Sequence, residues 1–131
     1  MEIDHLGLAV KDLSQAMPRW SQLLGASASP PEEVPSQRVR VSFLEAGLAH
    51  IELLEPTAPD SAVGRFLTSR GEGLHHVAFR VPSVDRQLEE LVRRGERVID
   101  MVGRPGARGR VVGFAHPAAF GGVLVEFVEA D

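Results

Sequence analysis

The stretch Ile3-Asp4-His5-Leu6-Gly7-Leu8-Ala9-Val10 decides the fold, because it returns in altered form as Leu74-His75-His76-Val77-Ala78-Phe79-Arg80-Val81. In both octapeptides apolar residues alternate with polar or small residues, the pattern that predicts a β-strand. A second pair follows: His50-Ile51-Glu52-Leu53-Leu54-Glu55 aligns with Leu124-Val125-Glu126-Phe127-Val128-Glu129. The offset grows from 71 residues in the first pair to 74 in the second, which predicts a longer hairpin around residues 117–122. Two matched pairs in the same order indicate an internal duplication.

A helix follows the first strand in each copy. Residues 12–24 place apolar side chains at helical spacing, and this helix is either kinked at Pro18 or begins close to it. In the second copy Ser83 is the predicted N-cap, and the helix is predicted to end at Gly95. A short helix that connects the copies is predicted to begin at an Asp60 cap and to end at Gly71.

Further strands complete each copy. The predicted strands lie at residues 3–10, 38–46, 49–55, 74–81, 97–100, 110–115 and 123–129. The first copy has no clear signal for a strand that corresponds to 97–100, and residues 27–35 have the composition of a loop.

This order of elements predicts an α+β fold made of two tandem βαβββ modules. We expect their strands to join into one curved mixed sheet with the helices on its outer face. A length of 131 residues suits a single domain with a sizeable core. We therefore predict one domain over 1–131, with module one at about 1–57, the connecting helix at about 60–71 and module two at about 72–131.

Composition narrows the classes of function. The net charge of −4 gives no support for a nucleic-acid partner. The chain has no cysteine, which excludes disulfides, thiolate metal ligands and cysteine nucleophiles and fits a reducing cytoplasm. The N-terminal sequence has neither a basic region nor a long apolar run, so we predict no signal peptide and no membrane partner.

Four side chains of the repeat form a predicted metal site. Alternation turns His5 and His76 away from the helices, beside small residues, and it turns Glu52 and Glu126 to the same face. A carboxylate among apolar strand residues is costly to bury unless it is paired or binds a metal. If the two modules are related by a pseudo-two-fold axis, the four residues converge on one ion. Two imidazoles and two carboxylates suit Mn²⁺, Fe²⁺, Co²⁺, Ni²⁺ or Zn²⁺.

Structural explanations compete with this interpretation. A single histidine on a strand is more often a surface or core residue than a ligand, and Glu52 could face solvent. The duplicated placement of all four residues favours the metal site. His75 is a weaker candidate because alternation turns it away from the others. His50 and His116 are candidates for contacts with a metal ligand or a substrate.

The sequence resembles the vicinal oxygen chelate superfamily of glyoxalases, bleomycin-resistance proteins and dioxygenases, and above all its methylmalonyl-CoA epimerases. The segments that carry the resemblance are IELLEP at 51–56, GEGLHHVAF at 71–79, FAHP at 114–117 and GGVLVE at 121–126. They occur in the same order and at similar spacing as in that family. The resemblance covers nearly the whole chain and implies the glyoxalase-like fold.

The resemblance also implies an activity. It implies an epimerase that interconverts (R)- and (S)-methylmalonyl-CoA by abstraction of the α-proton, with His5, Glu52, His76 and Glu126 binding one divalent metal that stabilises an enolate. Glu126 and Glu52 are then the catalytic bases. The expected ion is Co²⁺, with Mn²⁺, Ni²⁺, Zn²⁺ or Fe²⁺ as alternatives. An acyl-CoA thioester is the expected substrate, and a homodimer is the expected assembly.

The first copy departs from the epimerase pattern. Similar proteins tend to have a glycine near the position of Arg38, and some carry a further glutamate, proposed as a base, on the strand that follows. No glutamate lies between Arg38 and Leu44, and Arg40 stands near that position. The run Gly103–Arg110, rich in glycine and arginine, is a candidate contact for the CoA tail, with an ordinary flexible hairpin as the alternative.

Three other functions are compatible with parts of this sequence pattern. A glyoxalase I-type lactoylglutathione lyase would use the same four ligand types. An extradiol dioxygenase fits less well, because those enzymes use two histidines and one carboxylate and commonly a tyrosine, and this chain has no tyrosine. A non-catalytic binding protein of the same fold is the alternative from a different class.

Overall fold

The structure is a computed structural model in which residues 1–130 are described. Its helices are α1 (Leu13–Leu24), α2 (Ala62–Arg70) and α3 (Val84–Arg93). Its strands are β1 (Glu2–Ala9), β2 (Glu32–Val34), β3 (Val39–Ala46), β4 (Ala49–Pro56), β5 (Gly73–Val81), β6 (Arg104–Pro105), β7 (Val111–Ala115) and β8 (Val125–Glu129). Among these residues no helix is long and apolar enough to cross a membrane.

The contacts divide the chain into two compact units with the same topology. One unit is His5–His75, and the other combines Met1–Asp4 with the chain from His76 onward. The first has the strand order β1-β4-β3-β2 and the second β5-β8-β7-β6. In each, the first pair is parallel and the others are antiparallel. The predicted α+β class with two βαβββ modules is confirmed.

Equivalent hydrogen bonds begin the main helix of each module. Asp12 caps α1, and the Glu55 carboxylate at the end of β4 accepts a hydrogen bond from the Leu13 amide at 2.8 Å. Ser83 caps α3, and Glu129 at the end of β8 accepts one from the Val84 amide at 3.0 Å. A carboxylate suits this place, since the first amides of a helix lack intrahelical acceptors and carry partial positive charge.

Two predicted helix starts can be compared with the structure. The first helix begins at Leu13 and continues through Pro18, so it does not begin at the proline. The connecting helix α2 is capped by Ser61, whose hydroxyl accepts a hydrogen bond from the Gly64 amide at 3.1 Å. The prediction of Asp60 as the cap was wrong, because the Asp60 carboxylate pairs with Arg38 at 2.9 Å instead.

The predicted strand at 97–100 was also wrong. Within that segment Val98 makes one isolated bridge, and both the Ile99 and Asp100 amides donate to the same Phe114 carbonyl. The Asp100 carboxylate accepts from the Phe114 amide at 2.9 Å, so a side chain takes the place of a ladder bond. The outer strand of this module is β6, and its counterpart β2 lies inside the segment predicted as a loop.

Alternation along the strands separates two faces in the second unit. Val125 and Phe127 pack with α3 in a buried cluster that includes Leu88. Val128 belongs to a separate cluster on the opposite face with Ala78, Val112 and Phe114. Glu126 lies between Val125 and Phe127, and its side chain therefore points to the face away from α3.

Candidate metal centre

The first His–Glu pair lies in the unit His5–His75. His5 is on β1 and Glu52 is on the parallel neighbour β4, where Gly7 stands directly opposite Glu52. The His5 Nε2 and Glu52 Oε1 atoms are 3.2 Å apart, and the side chains are 4% and 6% exposed. Because glycine has no side chain, the strand leaves room for the histidine to reach the carboxylate.

The second pair repeats this arrangement in the other unit. His76 is on β5 and Glu126 is on the parallel neighbour β8, opposite Ala78. His76 Nε2 and Glu126 Oε1 are 2.9 Å apart, and the side chains are 1% and 4% exposed. A small residue again stands opposite the glutamate, so the sequence repeat becomes a repeat of the site geometry.

A phenylalanine packs against each histidine. Phe43 stands opposite Glu52 in the β3–β4 register, and its ring lies edge to face with His5 at 5.8 Å between centroids. Phe114 stands opposite Glu126, and its ring lies in the same way against His76 at 5.9 Å. These apolar rings help to keep water from the carboxylates, which strengthens any interaction of those groups with a cation.

The donor set of the two pairs fits a divalent metal. A buried carboxylate requires compensation by a proton, a cation or hydrogen bonds. Among the described residues, the group of buried His and Glu side chains that could hold a metal ion is His5, Glu52, His76 and Glu126, each with one imidazole nitrogen or carboxylate oxygen. Neutral imidazole and ionised carboxylate are ordinary ligands of Mn²⁺, Fe²⁺, Co²⁺, Ni²⁺ and Zn²⁺.

The other histidine candidates have their own contacts. His116 caps the short turn Pro117–Phe120, because its Nδ1 accepts a hydrogen bond from the Ala118 amide at 3.0 Å. His75 packs edge to face on Phe66 of α2 at 5.0 Å. His50 is half-buried, with its ring 6.3 Å from that of Phe43.

Sequence reasoning missed a charged network around Asp4. The Asp4 side chain is 2% exposed, and its Oδ1 accepts hydrogen bonds from Arg80 and Arg110, each at 3.0 Å. Arg108 lies 3.7 Å from Oδ2. The hydrogen bond to Asp4 raises the pKa of Arg80. The signal available in the sequence was Asp4 itself, an aspartate within a predicted strand. An aspartate that becomes buried there requires cationic partners.

The run Gly103–Arg110 has defined structure. It contains β6, paired with β7, and a 3₁₀ turn at Ala107–Gly109. The Arg104 guanidinium lies over the ring of Phe114, 5.2 Å from its centroid, and Arg104 Nε is 3.3 Å from Asp100 Oδ1. One member of the run therefore contacts the same phenyl ring as His76.

Comparisons with known proteins relate the chain to one superfamily. Residues 4–114 match the Glyoxalase/Bleomycin resistance protein/Dioxygenase superfamily. The chain is 39% identical to the uncharacterized protein YqjC of Bacillus subtilis, covering 97% of this chain and 91% of that protein. It is 34% identical to the mitochondrial methylmalonyl-CoA epimerase of Bos taurus, covering 98% of this chain and 74% of the enzyme.

A solved structure supports the same relationship. A variant of the Streptomyces coelicolor methylmalonyl-CoA epimerase, in complex with 2-nitronate-propionyl-CoA, is 35% identical to this chain. Its TM-score is 0.94 over 99% of this chain and 94% of the enzyme, which confirms the predicted glyoxalase-like fold. The chain therefore belongs to the Glyoxalase/Bleomycin resistance protein/Dioxygenase superfamily and, within it, to the family that contains the methylmalonyl-CoA epimerases.

Proposed function

We propose that the protein is a metal-dependent epimerase that interconverts (R)- and (S)-methylmalonyl-CoA. Relatives at 34% and 35% identity over nearly the whole chain are named for this activity. The observation that carries the proposal is the duplicated, buried His–Glu pair, His5–Glu52 and His76–Glu126. Two buried carboxylates at equivalent positions are costly unless each is compensated, and a bound cation would compensate both.

Both pairs are proposed to bind the same divalent ion, with Co²⁺ preferred and Mn²⁺, Ni²⁺, Zn²⁺ or Fe²⁺ as alternatives. Each pair would contribute one imidazole nitrogen and one carboxylate oxygen to the ion, a donor set that suits these metals. When bound, the ion supplies Lewis-acid stabilisation of the negative charge that develops on a thioester oxygen.

The two glutamates are the proposed proton carriers. The α-proton of methylmalonyl-CoA lies between a thioester carbonyl and a carboxylate, and its inversion needs removal on one face and delivery on the other. Glu126 acts as one base and Glu52 as the other, because they occupy equivalent positions of the repeat. A positioned acid or base of this kind contributes roughly 10²–10⁴-fold to the rate.

The CoA moiety requires cationic contacts, and the run Gly103–Arg110 is proposed to supply some of them. Its arginines are held by defined partners, with Arg110 donating to the Glu129 carbonyl at 2.9 Å. A cytoplasmic location and a homodimer complete the proposal. Size-exclusion chromatography with light scattering, which should give twice the chain mass, tests the assembly.

The activity is tested with a single epimer of methylmalonyl-CoA in D₂O and metal-loaded protein. We expect conversion to the opposite epimer with deuterium at the α-carbon, because the donating acid exchanges its proton with solvent. If the metal-loaded protein shows neither conversion nor deuterium uptake and instead processes the hemithioacetal of glutathione, the protein is a glyoxalase I-type lyase and the proposal is wrong.

A further inference from the structure

We propose that Asp4 is a positioning residue for the acyl-CoA site: through Arg108 and Arg110 it fixes the turn at residues 106–110, which contacts the phosphate-bearing half of CoA. The inference rests on the proposed function, in which the run Gly103–Arg110 supplies cationic contacts to CoA. It assigns a role in substrate binding to a buried carboxylate outside the His–Glu pairs. Asp4, the turn and the groups that hold the turn all lie in one compact unit.

The Asp4 carboxylate joins the start of β1 to three arginines. Its side chain is 2% exposed, and its Oδ1 atom accepts hydrogen bonds from Arg80 Nε and Arg110 Nη1, each at 3.0 Å. Its Oδ2 atom lies 3.7 Å from Arg108 Nη2. A carboxylate buried away from water depends on such cations to compensate its charge, so it holds them in place. Two of the three, Arg108 and Arg110, belong to the turn.

Arg110 connects the shape of the turn to this carboxylate. Its backbone closes the turn, because the Gly106 amide donates to the Arg110 carbonyl at 2.8 Å and the Arg110 amide donates to the Ala107 carbonyl at 3.2 Å. Its guanidinium donates to the Glu129 carbonyl through Nε at 3.1 Å and Nη2 at 2.9 Å, and to Asp4 through Nη1. One residue therefore ends the turn and fixes it both to β8 and to Asp4.

The turn has a backbone conformation that needs such support. Arg108 has φ 58°, in the left-handed region that residues other than glycine seldom adopt, and Gly109 follows with φ 67°. A Cβ at Gly106 would come within 2.6 Å of the Val112 side chain, so the turn begins in close contact with β7. An unusual conformation persists only when the surrounding contacts determine it. The ion pair between Arg108 and Asp4 is one such contact.

A fixed turn matters most for a ligand that carries the phosphates of CoA. Phosphate oxygens form charged hydrogen bonds with arginine, and these bonds depend on geometry. If the turn were loose, ordering its side chains on binding would oppose the affinity. The thioester end of the substrate, where the proton is removed, does not use these contacts. Asp4 should therefore act on the KM for CoA thioesters and leave kcat unchanged.

The test compares Asp4→Asn with the matched control Glu2→Gln. Asparagine keeps the size of Asp4 but not its charge, whereas Glu2 also pairs with Arg80, at 2.8 Å, with a side chain that is 72% exposed. For Asp4→Asn we expect the KM for methylmalonyl-CoA to rise about 5- to 20-fold, because the turn must then be ordered on binding. Its kcat, and its KM for methylmalonyl-pantetheine, which lacks the nucleotide, should stay near wild type. Glu2→Gln should match the wild type with both substrates.

Trypsin provides a measurement that does not depend on activity. Because trypsin cuts after arginine, cleavage after Arg108 and Arg110 reports the mobility of the turn. In Asp4→Asn this cleavage should be faster than in the wild type or in Glu2→Gln, when it is taken relative to cleavage after Arg86 on α3, which corrects for general unfolding. An unchanged relative rate in Asp4→Asn overturns the inference, since the turn is then ordered without the carboxylate.

The kinetic outcomes separate this inference from the proposed function. Equal rises in KM for both thioesters, or a loss of kcat that follows Co²⁺ content through the neighbouring His5, overturn the positioning role. If the wild type binds CoA in calorimetry but epimerises neither substrate, the proposed function fails, and wild-type affinity of Asp4→Asn for CoA would overturn the inference as well. If the wild type does not bind CoA, both are wrong. If Asp4→Asn does not fold, Arg110→Met decides, and a wild-type KM for methylmalonyl-CoA in that variant overturns the inference.

Discussion

At the scale of single residues, the site depends on what stands opposite each glutamate. Gly7 and Ala78 leave space beside Glu52 and Glu126, and the histidine two positions earlier on the same strand reaches the carboxylate. A larger residue in place of Gly7 or Ala78 would fill that space. In both modules, therefore, the His and Glu side chains and the small residues that leave room for them occupy equivalent positions.

Glu126→Gln should lower kcat roughly 10²–10⁴-fold and change KM much less, because the carboxylate acts mainly in the transition state. Steady-state kinetics with methylmalonyl-CoA measure both constants. Metal content must be determined in the same sample, since Glu126 is also a proposed ligand. Glu52→Gln should be milder, because the glutamine oxygen can still coordinate a metal. Equal losses in kcat and metal content would contradict a role in proton transfer.

At the scale of elements, the sequence predicts those parts whose signal is local and repeated. The alternation at His5 and His76, the cap at Ser83 and the succession of the long strands along the chain all follow from short patterns. The prediction of a strand at 97–100 was wrong because the Asp100 side chain, rather than a strand carbonyl, accepts the hydrogen bond of the Phe114 amide. A side-chain hydrogen bond that replaces a strand hydrogen bond depends on tertiary contact and leaves no periodic signal in the sequence.

The location of Arg104 shows the same limit. Its place in a glycine-rich run is visible in the sequence, but its stacking on Phe114 follows from the pairing of β6 with β7. The β2 strand was missed because three residues between prolines resemble a loop. Short outer strands take their conformation from the neighbouring strand, and their own sequence specifies it weakly.

Glu129→Ala should lower the free energy of unfolding by about 1–2 kcal/mol, because the Val84 amide at the start of α3 loses a charged acceptor. Glu89→Ala is the matched control, since Glu89 is exposed on the same helix. Chemical denaturation followed by circular dichroism measures both variants. Equal stability of the two would show that the end of β8 does not anchor the helix.

At the scale of the whole molecule, the sequence repeat and the compact units have different boundaries. The first four residues belong by their contacts to the unit that begins again at His76. Asp4 provides the main polar anchor, through hydrogen bonds to Arg80 and Arg110. The strand that carries His5 therefore starts in the unit of the second module.

Asp4→Ala should destabilise the protein by about 1.5–3 kcal/mol, because the charged hydrogen bonds from Arg80 and Arg110 are lost while both arginines stay partly hydrated. Glu2→Ala removes another carboxylate that pairs with Arg80, at 2.8 Å, but its side chain is 72% exposed. That control should cost at most about 1 kcal/mol. Similar unfolding free energies for the two variants would argue against Asp4 as the anchor.

The number of metal ions bound per chain tests most directly whether the two His–Glu pairs form one site. Titration of metal-free protein with Co²⁺ should give one ion per chain. His5→Ala and His76→Ala should each weaken binding by more than the roughly 10–100-fold lost when a group that merely orients a ligand is removed. His75→Ala, whose ring rests on Phe66, should bind like the wild type. Two ions per chain, or one ion retained at wild-type affinity in either histidine variant, would contradict a single site shared by both pairs.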